Sequence, residues 1–263
     1  MRILTLTPAA TDIISALGFE DQLIKPEFSL EGAADFDAIQ GLAPDMIVTT
    51  LGVDSDEAAA QAALAARFEN PPQLINLVQS EIADVLANIT RVSGLLGVPE
   101  RGAAVMLRLE SRLKDIHTRA MELQPKPTVA AIEWVDPLMT CGNWIPELIT
   151  MAGGVTLFGR EGKPSFQIEW DELWAADPDR IILMACGYTM DQTLAAMPAL
   201  TRQPGWATLR AIRDKQVYIT NADHFFCRPS PRMAESLEIL AEILHPEAFH
   251  FGHEGTGWMT YSS

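Results

Sequence analysis

Short runs of aliphatic and β-branched residues alternate with longer amphipathic stretches along the whole chain. The short runs have the length of buried strands, and the stretches between them have the spacing of helices with one apolar face. Alternation of this kind predicts parallel sheets covered by helices, which is an α/β fold. The predicted strands are residues 3–7, 46–50, 74–77, 129–134, 181–184 and 217–220.

Three segments of the first half recur in the second half in the same order. The first-half segments are IISALG at 13–18, FDAI at 36–39 and PDMI at 44–47, and their counterparts are LITMAG at 148–153, WDEL at 170–173 and PDRI at 178–181. The last two pairs keep one offset, and the first pair is shifted by a single residue. Repetition of several segments in one order predicts two similar Rossmann-like lobes, each with its own parallel sheet.

A long amphipathic helix is predicted between the two halves. Leu109, Leu113, Ile116 and Ala120 follow one another at alternating four- and three-residue steps, which places them on one helix face. Prolines before and after this stretch limit the helix to residues 100–123, and at a rise of 1.5 Å per residue it would be about 36 Å long. That length is enough to cross from one lobe to the other, although an ordinary surface helix within one domain would have the same pattern.

The predicted organisation has four parts. An N-terminal α/β lobe at residues 1–98 is followed by an interlobe linker helix at 99–124, a C-terminal α/β lobe at 125–250 and a loose, glycine-containing tail at 251–263. A stiff helical linker predicts only a small rotation of the lobes when a ligand binds.

The chain carries 19 basic and 35 acidic side chains, which gives a formal net charge of −16. A field of this sign repels nucleic acid and anionic lipid surfaces, so neither is an expected partner. No run of about 18 apolar residues occurs without a charge, so membrane insertion is not expected. We expect a monomer that binds a small molecule.

The N-terminal residues 1–8 are apolar for too short a stretch to form the hydrophobic region of a signal peptide, and they have the pattern of a first strand. The expected location is therefore cytoplasmic if the chain is complete as given, and periplasmic if a leader has been removed.

The cysteines Cys141, Cys186 and Cys227 are odd in number and widely spaced. This pattern fits neither a disulfide framework nor a CxxC pair for a metal or a redox reaction. We therefore expect three free thiols.

Signatures of common enzyme classes are missing from the sequence, which contains no GxSxG, HExxH or GxGxxG motif. The segment GKPS at 162–165 resembles a phosphate loop only superficially, because Leu157 replaces the first glycine and Pro164 replaces the hydroxyl residue. No catalytic residue, cofactor or metal site is predicted, and the chain is not expected to be an enzyme.

Residues that follow the predicted strands are the candidate ligand contacts, because ligands bind beyond the carboxyl ends of the strands in open parallel sheets. In the second half these positions are rich in aromatic side chains, and flat aromatic walls suit a large, flat and partly apolar ligand. Each ring could equally belong to the core. The candidates are Thr7, Pro8, Trp134, Asp136, Trp144, Tyr188, His224, Phe225, Phe226 and Arg228.

Four histidines are candidate metal ligands. His224 could be an axial ligand to cobalt or iron, because neutral imidazole binds both metals, or it could be a histidine at the rim of a cleft. His245, His250 and His253 could chelate a metal near the C-terminus, but the glycines around them indicate a loose tail, so no specific site is expected there.

Several motifs resemble one family. TPAATDIISALG at 7–18 is similar to the opening S-P-x-x-T-E-x-x-x-A-x-G of the helical-linker substrate-binding proteins that deliver cobalamin, haem and iron siderophores to ABC importers, and LAPDMIV at 42–48 is similar to their L-x-P-D-L-I-x segment. The second half resembles the cobalamin-binding branch most. The segments that carry this resemblance are EWVDP, GNWIPEL, PGW and RPSPR at 133–137, 142–148, 204–206 and 228–232.

The resemblance implies two lobes joined by a helix, with a cobalamin-like corrinoid or another metal chelate held in the cleft as a transported ligand. It also implies aromatic contacts at Trp134, Trp144 and Phe225, and docking onto an ABC permease through acidic residues on the lobe tops. The chain departs from the family after Leu23, where residues 25–28 replace a tyrosine- and proline-containing stretch that helps to cover the ligand.

Three other functions remain compatible with the sequence. The protein could bind haem or a ferric siderophore with the same fold, or it could be a cytoplasmic corrinoid-handling protein or enzyme that reuses the fold. It could also be a partner-binding module whose shortened first lobe no longer closes on a small ligand.

Overall fold

The computed structural model describes residues 1–24, 36–50 and 56–262. The chain divides into two compact units, Met1–Arg108 and Leu109–Ser263, and each unit contains its own sheet with helices packed around it. This architecture confirms the predicted α/β class with two lobes.

The first unit is built around a three-stranded parallel sheet, called sheet A. Its elements are β1 (Ile3–Thr5), α1 (Pro8–Ala16), a 3-10 helix (Glu20–Gln22), α2 (Phe36–Leu42), β2 (Met46–Thr49), α3 (Glu57–Ala65), β3 (Gln73–Asn76), α4 (Ile82–Leu95) and the start of α5 (Pro99–Glu122). The strand order is β1-β2-β3, with Ile3 opposite Met46 and Met46 opposite Gln73. Leu4 and Ile47 of these strands pack with apolar residues of α2 and α3 in the core.

The second unit contains the rest of α5 and a larger, mainly parallel sheet, called sheet B. Its further elements are β4 (Thr128–Val135), β5 (Leu138–Thr140), α6 (Ile145–Met151), β6 (Val155–Thr156), β7 (Phe166–Gln167), α7 (Trp170–Ala176), β8 (Arg180–Leu183), α8 (Met190–Ala196), α9 (Pro198–Thr201), a 3-10 helix (Trp206–Thr208), α10 (Arg210–Arg213), β9 (Val217–Thr220), α11 (Ala222–Phe225), α12 (Met233–Leu244) and β10 (Trp258–Thr260). The strand order is β10-β9-β8-β4-β5-β7, and β6 pairs with β4. Strands β4, β8 and β9 are parallel neighbours, whereas β5, β7 and β10 are antiparallel additions.

The sequence repeat corresponds to a repeated backbone conformation. Helix α2 leads into β2 as α7 leads into β8, and each helix is followed by a non-glycine residue with positive φ, Ala43 at 45° and Asp177 at 41°. The matched ends of α1 and α6 are followed by Gly18 at φ 78° and Gly153 at φ 82°. Because residues with a side chain rarely adopt positive φ, its occurrence at equivalent positions supports two copies of one unit.

All six predicted strands are present, each within two residues of its predicted ends. Strands β5, β6, β7 and β10 were not predicted. They contain two or three residues each, which is too short for an apolar periodicity to be recognised.

Helix α5 spans Pro99–Glu122 and lies within one residue of the predicted helix at each end. The boundary between the two units falls inside this helix, so the predicted lobe and linker boundaries stay predictions. The buried residues of the predicted apolar stripe are Leu109, Leu113, Ile116 and Ala120.

Among the described residues, none of the helices has both the length and the apolar character needed to cross a membrane.

The C-terminal segment is ordered, which corrects the expectation of a loose tail at 251–263. Strand β10 pairs with β9, with Trp258 opposite Thr220, and Trp258 is buried. Glu242 of the buried helix α12 accepts hydrogen bonds from the backbone N–H of Gly252 at 2.6 Å and from Nε1 of Trp258 at 2.8 Å. The glycines in this segment form turns that bring the chain back to the sheet, and Gly252 has a φ of 90°.

A second carboxylate of α12 binds the same segment. Glu238 Oε2 lies 2.9 Å from His253 Nε2, and Glu238 Oε1 accepts a hydrogen bond from Arg112 Nη2 at 2.6 Å. The hydrogen bond with Glu238 raises the pKa of His253 despite its burial. Burial alone would raise the pKa of Glu238, but the hydrogen bonds from His253 and Arg112 and their charges outweigh it and hold that pKa below its ordinary value.

The contribution of the His253–Glu238 pair to stability should be largest between pH 4.5 and 6.5, the ordinary pKa values of the two groups. The Glu238 carboxylate contributes above 4.5, and this contribution is lost as the pH falls through its lowered folded-state pKa. The His253 imidazolium contributes fully below 6.5, and this contribution is lost as the pH rises through its raised folded-state pKa. Urea unfolding of wild type and His253→Gln at a series of pH values measures this difference, with the exposed His250→Gln as control. A difference that does not change with pH would contradict the expectation.

Candidate functional site

The carboxyl ends of β4, β8 and β9 meet at one edge of sheet B. Ile132 lies opposite Leu183, and Leu183 lies opposite Ile219, so the three strands end side by side. Open α/β sheets bind ligands at this kind of edge. We refer to it as the carboxyl edge of sheet B.

Trp134 and Tyr188 form an aromatic pair at this edge. Trp134 is two residues beyond Ile132, the last residue of β4 that pairs with β8, and Tyr188 lies in the turn after β8. Their ring centroids are 4.8 Å apart with an interplanar angle of 63°, the edge-to-face arrangement that aromatic pairs favour. Both residues are half-buried. Because β4 continues past its pairing with β8, Trp134 lies beyond the end of β8, in the part of β4 that pairs only with β5.

The turn between β4 and β5 carries the carboxylate of Asp136, which follows Trp134 by two residues in the sequence. Asp136 and the following Pro137 are joined by a cis peptide bond, and both are exposed. Close to the turn, Ser165 Oγ donates a hydrogen bond to Glu133 and accepts one from the N–H of Gly142 at 3.0 Å. Asp136 is therefore an accessible carboxylate in the turn of a hairpin whose two sides are linked through Ser165.

Three of the candidate aromatic residues are buried, with exposed fractions of 8% for Trp144, 8% for Phe225 and 3% for Phe226. Trp144 caps the start of α6, and the two phenylalanines lie at the end of α11. The Phe225 ring is packed against His253 at 5.8 Å and Arg232 at 5.5 Å. Rings enclosed in this way leave little surface for stacking, so the half-exposed part of the expected aromatic wall consists of Trp134 and Tyr188.

His224 is held in a polar cluster beside Phe225. Arg232 Nη2 donates a hydrogen bond to His224 Nε2 and another to Glu235 Oε2 at 3.1 Å. Nε2 can therefore bind a metal axially only if the contact with Arg232 is broken. Neither Arg232 nor Glu235 was expected in the site, although Arg232 closes the RPSPR segment that carries the family resemblance.

In the part of the chain that the structure describes, no three His, Cys, Asp or Glu side chains are arranged to hold a metal ion. His253, one of the three C-terminal histidines, pairs with Glu238 instead. Burial lowers the pKa of His245, which is therefore held in its neutral form over a wider pH range.

Arg228 is fixed by its own segment. Its Nε donates to the backbone oxygen of Asp223 at 2.8 Å, and its Nη2 lies 3.5 Å from Asp223 Oδ2. The side chain keeps 21% of its surface exposed. Arg228 thus offers a positioned cation close in sequence to α11.

A disulfide joins Cys186 and Cys227, which corrects the expectation of three free thiols. Cys186 follows β8, and Cys227 follows α11, the short helix after β9. Because β8 and β9 are neighbours, residues 41 positions apart in sequence meet with their Cα atoms 5.8 Å apart. Rules based on sequence spacing do not detect such a pair. Cys141 remains an unbridged, buried thiol, and its burial together with the charge of Glu133 raises its pKa well above the ordinary value.

In the first unit, Thr7 and Pro8 lie where β1 leads into α1. Thr7 Oγ1 accepts a hydrogen bond from the N–H of Ala10 at 3.4 Å and is 3.5 Å from Oγ1 of Thr50, which follows β2. Pro8 is exposed at the first position of the helix. The departure from the family pattern at residues 25–28 lies outside the described residues.

The chain is similar to known proteins over most of its length. A profile described as periplasmic binding protein matches residues 20–224. The vitamin B12-binding protein of Vibrio cholerae serotype O1 is 27% identical over 262 residues, which cover 92% of this chain and 88% of that protein.

Two solved structures share the fold. A periplasmic heme binding protein from Pseudomonas aeruginosa is 21% identical with a TM-score of 0.78 and covers 100% of this chain and 98% of its own. The periplasmic vitamin B12 binding protein BtuF of Vibrio cholerae is 23% identical with a TM-score of 0.70 and covers 92% of this chain and 96% of its own.

Proposed function

Since the chain belongs to the periplasmic binding protein family, we propose that it is the solute-binding protein of an ABC importer and that it captures a cobalamin-like corrinoid. One observation carries this proposal: the similarity to a vitamin B12-binding protein extends over 92% of the chain, and the carboxyl edge of sheet B lies within that length. The ligand is the transported substrate and not a cofactor.

The chemistry of the carboxyl edge suits such a ligand. A corrinoid has a broad, flat and partly apolar ring system with amide groups around its periphery. The half-exposed rings of Trp134 and Tyr188 offer apolar surface to the ring system. Arg228 can donate to amide or phosphate oxygens, and Asp136 can accept from amide N–H groups.

The first unit has its own candidate polar group at the start of α1. Thr7 and Pro8 lie at a helix N-terminus, and the unpaired N–H groups of a helix start favour oxygen ligands. In the second unit, three candidate rings are buried and would support the residues that touch the ligand: Trp144, Phe225 and Phe226. His224 is held at the carboxyl edge by its contact with Arg232.

A second candidate ligand is haem, because the heme binding protein from Pseudomonas aeruginosa matches the whole chain with a TM-score of 0.78. Haem shares the flat apolar ring and carries carboxylates that Arg228 could bind. A ferric siderophore remains the third possibility. The proposed protein partner is an ABC permease, and the proposed oligomeric state is a monomer.

The disulfide bears on the compartment. Disulfides persist in oxidising compartments such as the periplasm and are rare in the cytosol, where thiols are kept reduced. The Cys186–Cys227 bond therefore favours a location outside the cytosol over the alternative of a cytoplasmic corrinoid-handling protein or enzyme.

Calorimetric titration of the oxidised protein with cobalamin, cobinamide, haem and a ferric siderophore tests the proposal. We expect one-site binding of cobalamin or cobinamide with a Kd of about 1 μM or lower, which corresponds to about 8 kcal/mol. Visible absorption spectra of the same mixtures distinguish corrinoid from haem binding. Binding of haem alone would replace the corrinoid with the second candidate, and the absence of binding to all four ligands would contradict the proposed function.

A further inference from the structure

Two separate segments at the carboxyl edge of sheet B are covalently tied. Cys186 lies in the turn after β8, Cys227 follows α11, and the disulfide between them spans 41 positions of sequence. Cys186 is exposed and Cys227 is half-buried. The bond therefore lies near the surface of the second unit, within reach of a thiol reagent.

Each tied segment carries a residue of the proposed binding site. Tyr188, the ring that contacts Trp134, comes two residues after Cys186, and Arg228 directly follows Cys227. Gly187, between Cys186 and Tyr188, has a φ of 75°, a conformation that glycine adopts at little cost. The disulfide thus links the aromatic and the cationic parts of the site.

Each segment contains a backbone hydrogen bond that closes its own turn. The N–H of Tyr188 donates to the oxygen of Ala185 at 3.0 Å, which closes the turn after β8. The N–H of Cys227 donates to the oxygen of Ala222 at 2.9 Å, which closes the end of α11. These bonds determine the shape of each segment, whereas the disulfide restrains the distance between the two segments.

We propose that the Cys186–Cys227 disulfide is a positioning element that holds Tyr188 and Arg228 at the spacing required by the ligand, and that its reduction weakens ligand binding. The inference rests on the proposed function, because it concerns the same site. Reduction by dithiothreitol breaks the S–S bond and forms two S–H groups, and the dithiol becomes a cyclic disulfide, so that two electrons and two protons pass to the protein.

The size of the effect follows from preorganisation. After reduction the two segments keep their own hydrogen bonds but move more freely relative to each other, and the ligand must restrain this motion on binding. A ligand that must order a mobile side chain on binding loses affinity, by up to about tenfold for each such side chain. We therefore expect the reduced protein to bind roughly threefold to tenfold more weakly.

The first test counts thiols. After equilibration with oxidised glutathione, the denatured protein should contain one reactive thiol per chain, that of Cys141, and three after reduction. Peptide mapping without reductant should recover the peptides of Cys186 and Cys227 as a linked pair. Three thiols before reduction, or a bridge that includes Cys141, would overturn the proposal.

The second test measures corrinoid affinity, with the reductant removed under nitrogen before the titration. Reduced wild type and the double variant Cys186→Ser/Cys227→Ser should show the same weakened binding, and reoxidation should restore only the wild type. Cys141→Ala is the matched control and should lose affinity on reduction as the wild type does. Equal affinities of the oxidised and reduced wild type would overturn the positioning role.

Hydrogen exchange separates this inference from the proposed function, because it needs no ligand. Reduction should accelerate amide exchange in residues 185–190 and 223–230 and leave the strands of sheet B protected. If the oxidised protein binds none of the four ligands, the proposed function fails. Hydrogen exchange then tests only whether the disulfide restrains the two segments. Faster exchange in both segments after reduction supports this restraint, and unchanged exchange overturns it.

Discussion

Replacing Trp134 with alanine is expected to weaken corrinoid binding by roughly tenfold to a hundredfold, which corresponds to about 1 to 3 kcal/mol for the loss of a well-packed contact residue. Trp134 is half-buried and lies two residues past the last residue of β4 that pairs with β8, so one part of the ring packs against Tyr188 and another part is accessible. Its removal takes away apolar contact surface and also leaves Tyr188 without its aromatic neighbour. Calorimetric titration of the oxidised variant measures the loss.

Two further variants make this result interpretable. Trp134→Phe retains a ring and should recover part of the affinity. Trp174→Ala removes a tryptophan of α7 that is 49% exposed and lies outside the site, and it should bind as the wild type does. Phe225→Ala is unsuitable as a test of stacking, because that ring is buried and its loss would destabilise the fold. A folded Trp134→Ala protein with wild-type affinity would show that this ring does not contact the ligand.

The parts of the fold that could be predicted are those with a periodic apolar pattern. Strands such as β4, β8 and β9 are buried on both faces and appear in the sequence as continuous apolar runs. Helix α5 has a clean stripe because one face is buried over several turns. The antiparallel strands at the side of sheet B contain only two or three residues, and their positions depend on pairing partners that are distant in sequence.

The candidate site could be predicted at the level of the sheet edge but not at the level of individual side chains. Residues after parallel strands meet at one edge whatever their identity, which is why Trp134 and Tyr188 come together. Whether such a ring faces the ligand or the interior depends on the local turn. Phe225 ends a short helix after β9 and Phe226 directly follows it, and both rings are buried, which no spacing rule indicates.

The order of the C-terminal segment is not apparent from its composition, for a related reason. Its glycines and histidines have the composition of a mobile tail, but two carboxylates from the preceding helix α12 bind it. Glutamates inside an otherwise apolar helix are unusual, because a buried charge is costly unless it is paired or hydrogen-bonded. Glu238 and Glu242 therefore carried a signal that a polar partner packs against α12.

Replacing Glu242 with alanine is expected to destabilise the second unit by about 2 to 4 kcal/mol, the range for removing one partner of a buried charged network. The Glu242 side chain is 5% exposed. One of its oxygens accepts from the N–H of Gly252 at 2.6 Å, and the other accepts from the N–H of His253 at 3.3 Å and from Nε1 of Trp258 at 2.8 Å. Alanine leaves these donors without their acceptor, and the buried indole N–H cannot turn to solvent without breaking the packing of β10.

Urea unfolding of Glu242→Ala measures the loss, and hydrogen exchange should show protection lost first in residues 251–260, because these amides depend on the carboxylate. Glu242→Gln keeps the shape but turns one acceptor into a donor, so it should lose an intermediate amount of stability. Glu247→Ala removes an exposed carboxylate in the turn that follows the same helix and should change stability by no more than about 0.5 kcal/mol. If Glu242→Ala is as stable as Glu247→Ala, the segment is held by the pairing of β10 with β9 and not by the carboxylate.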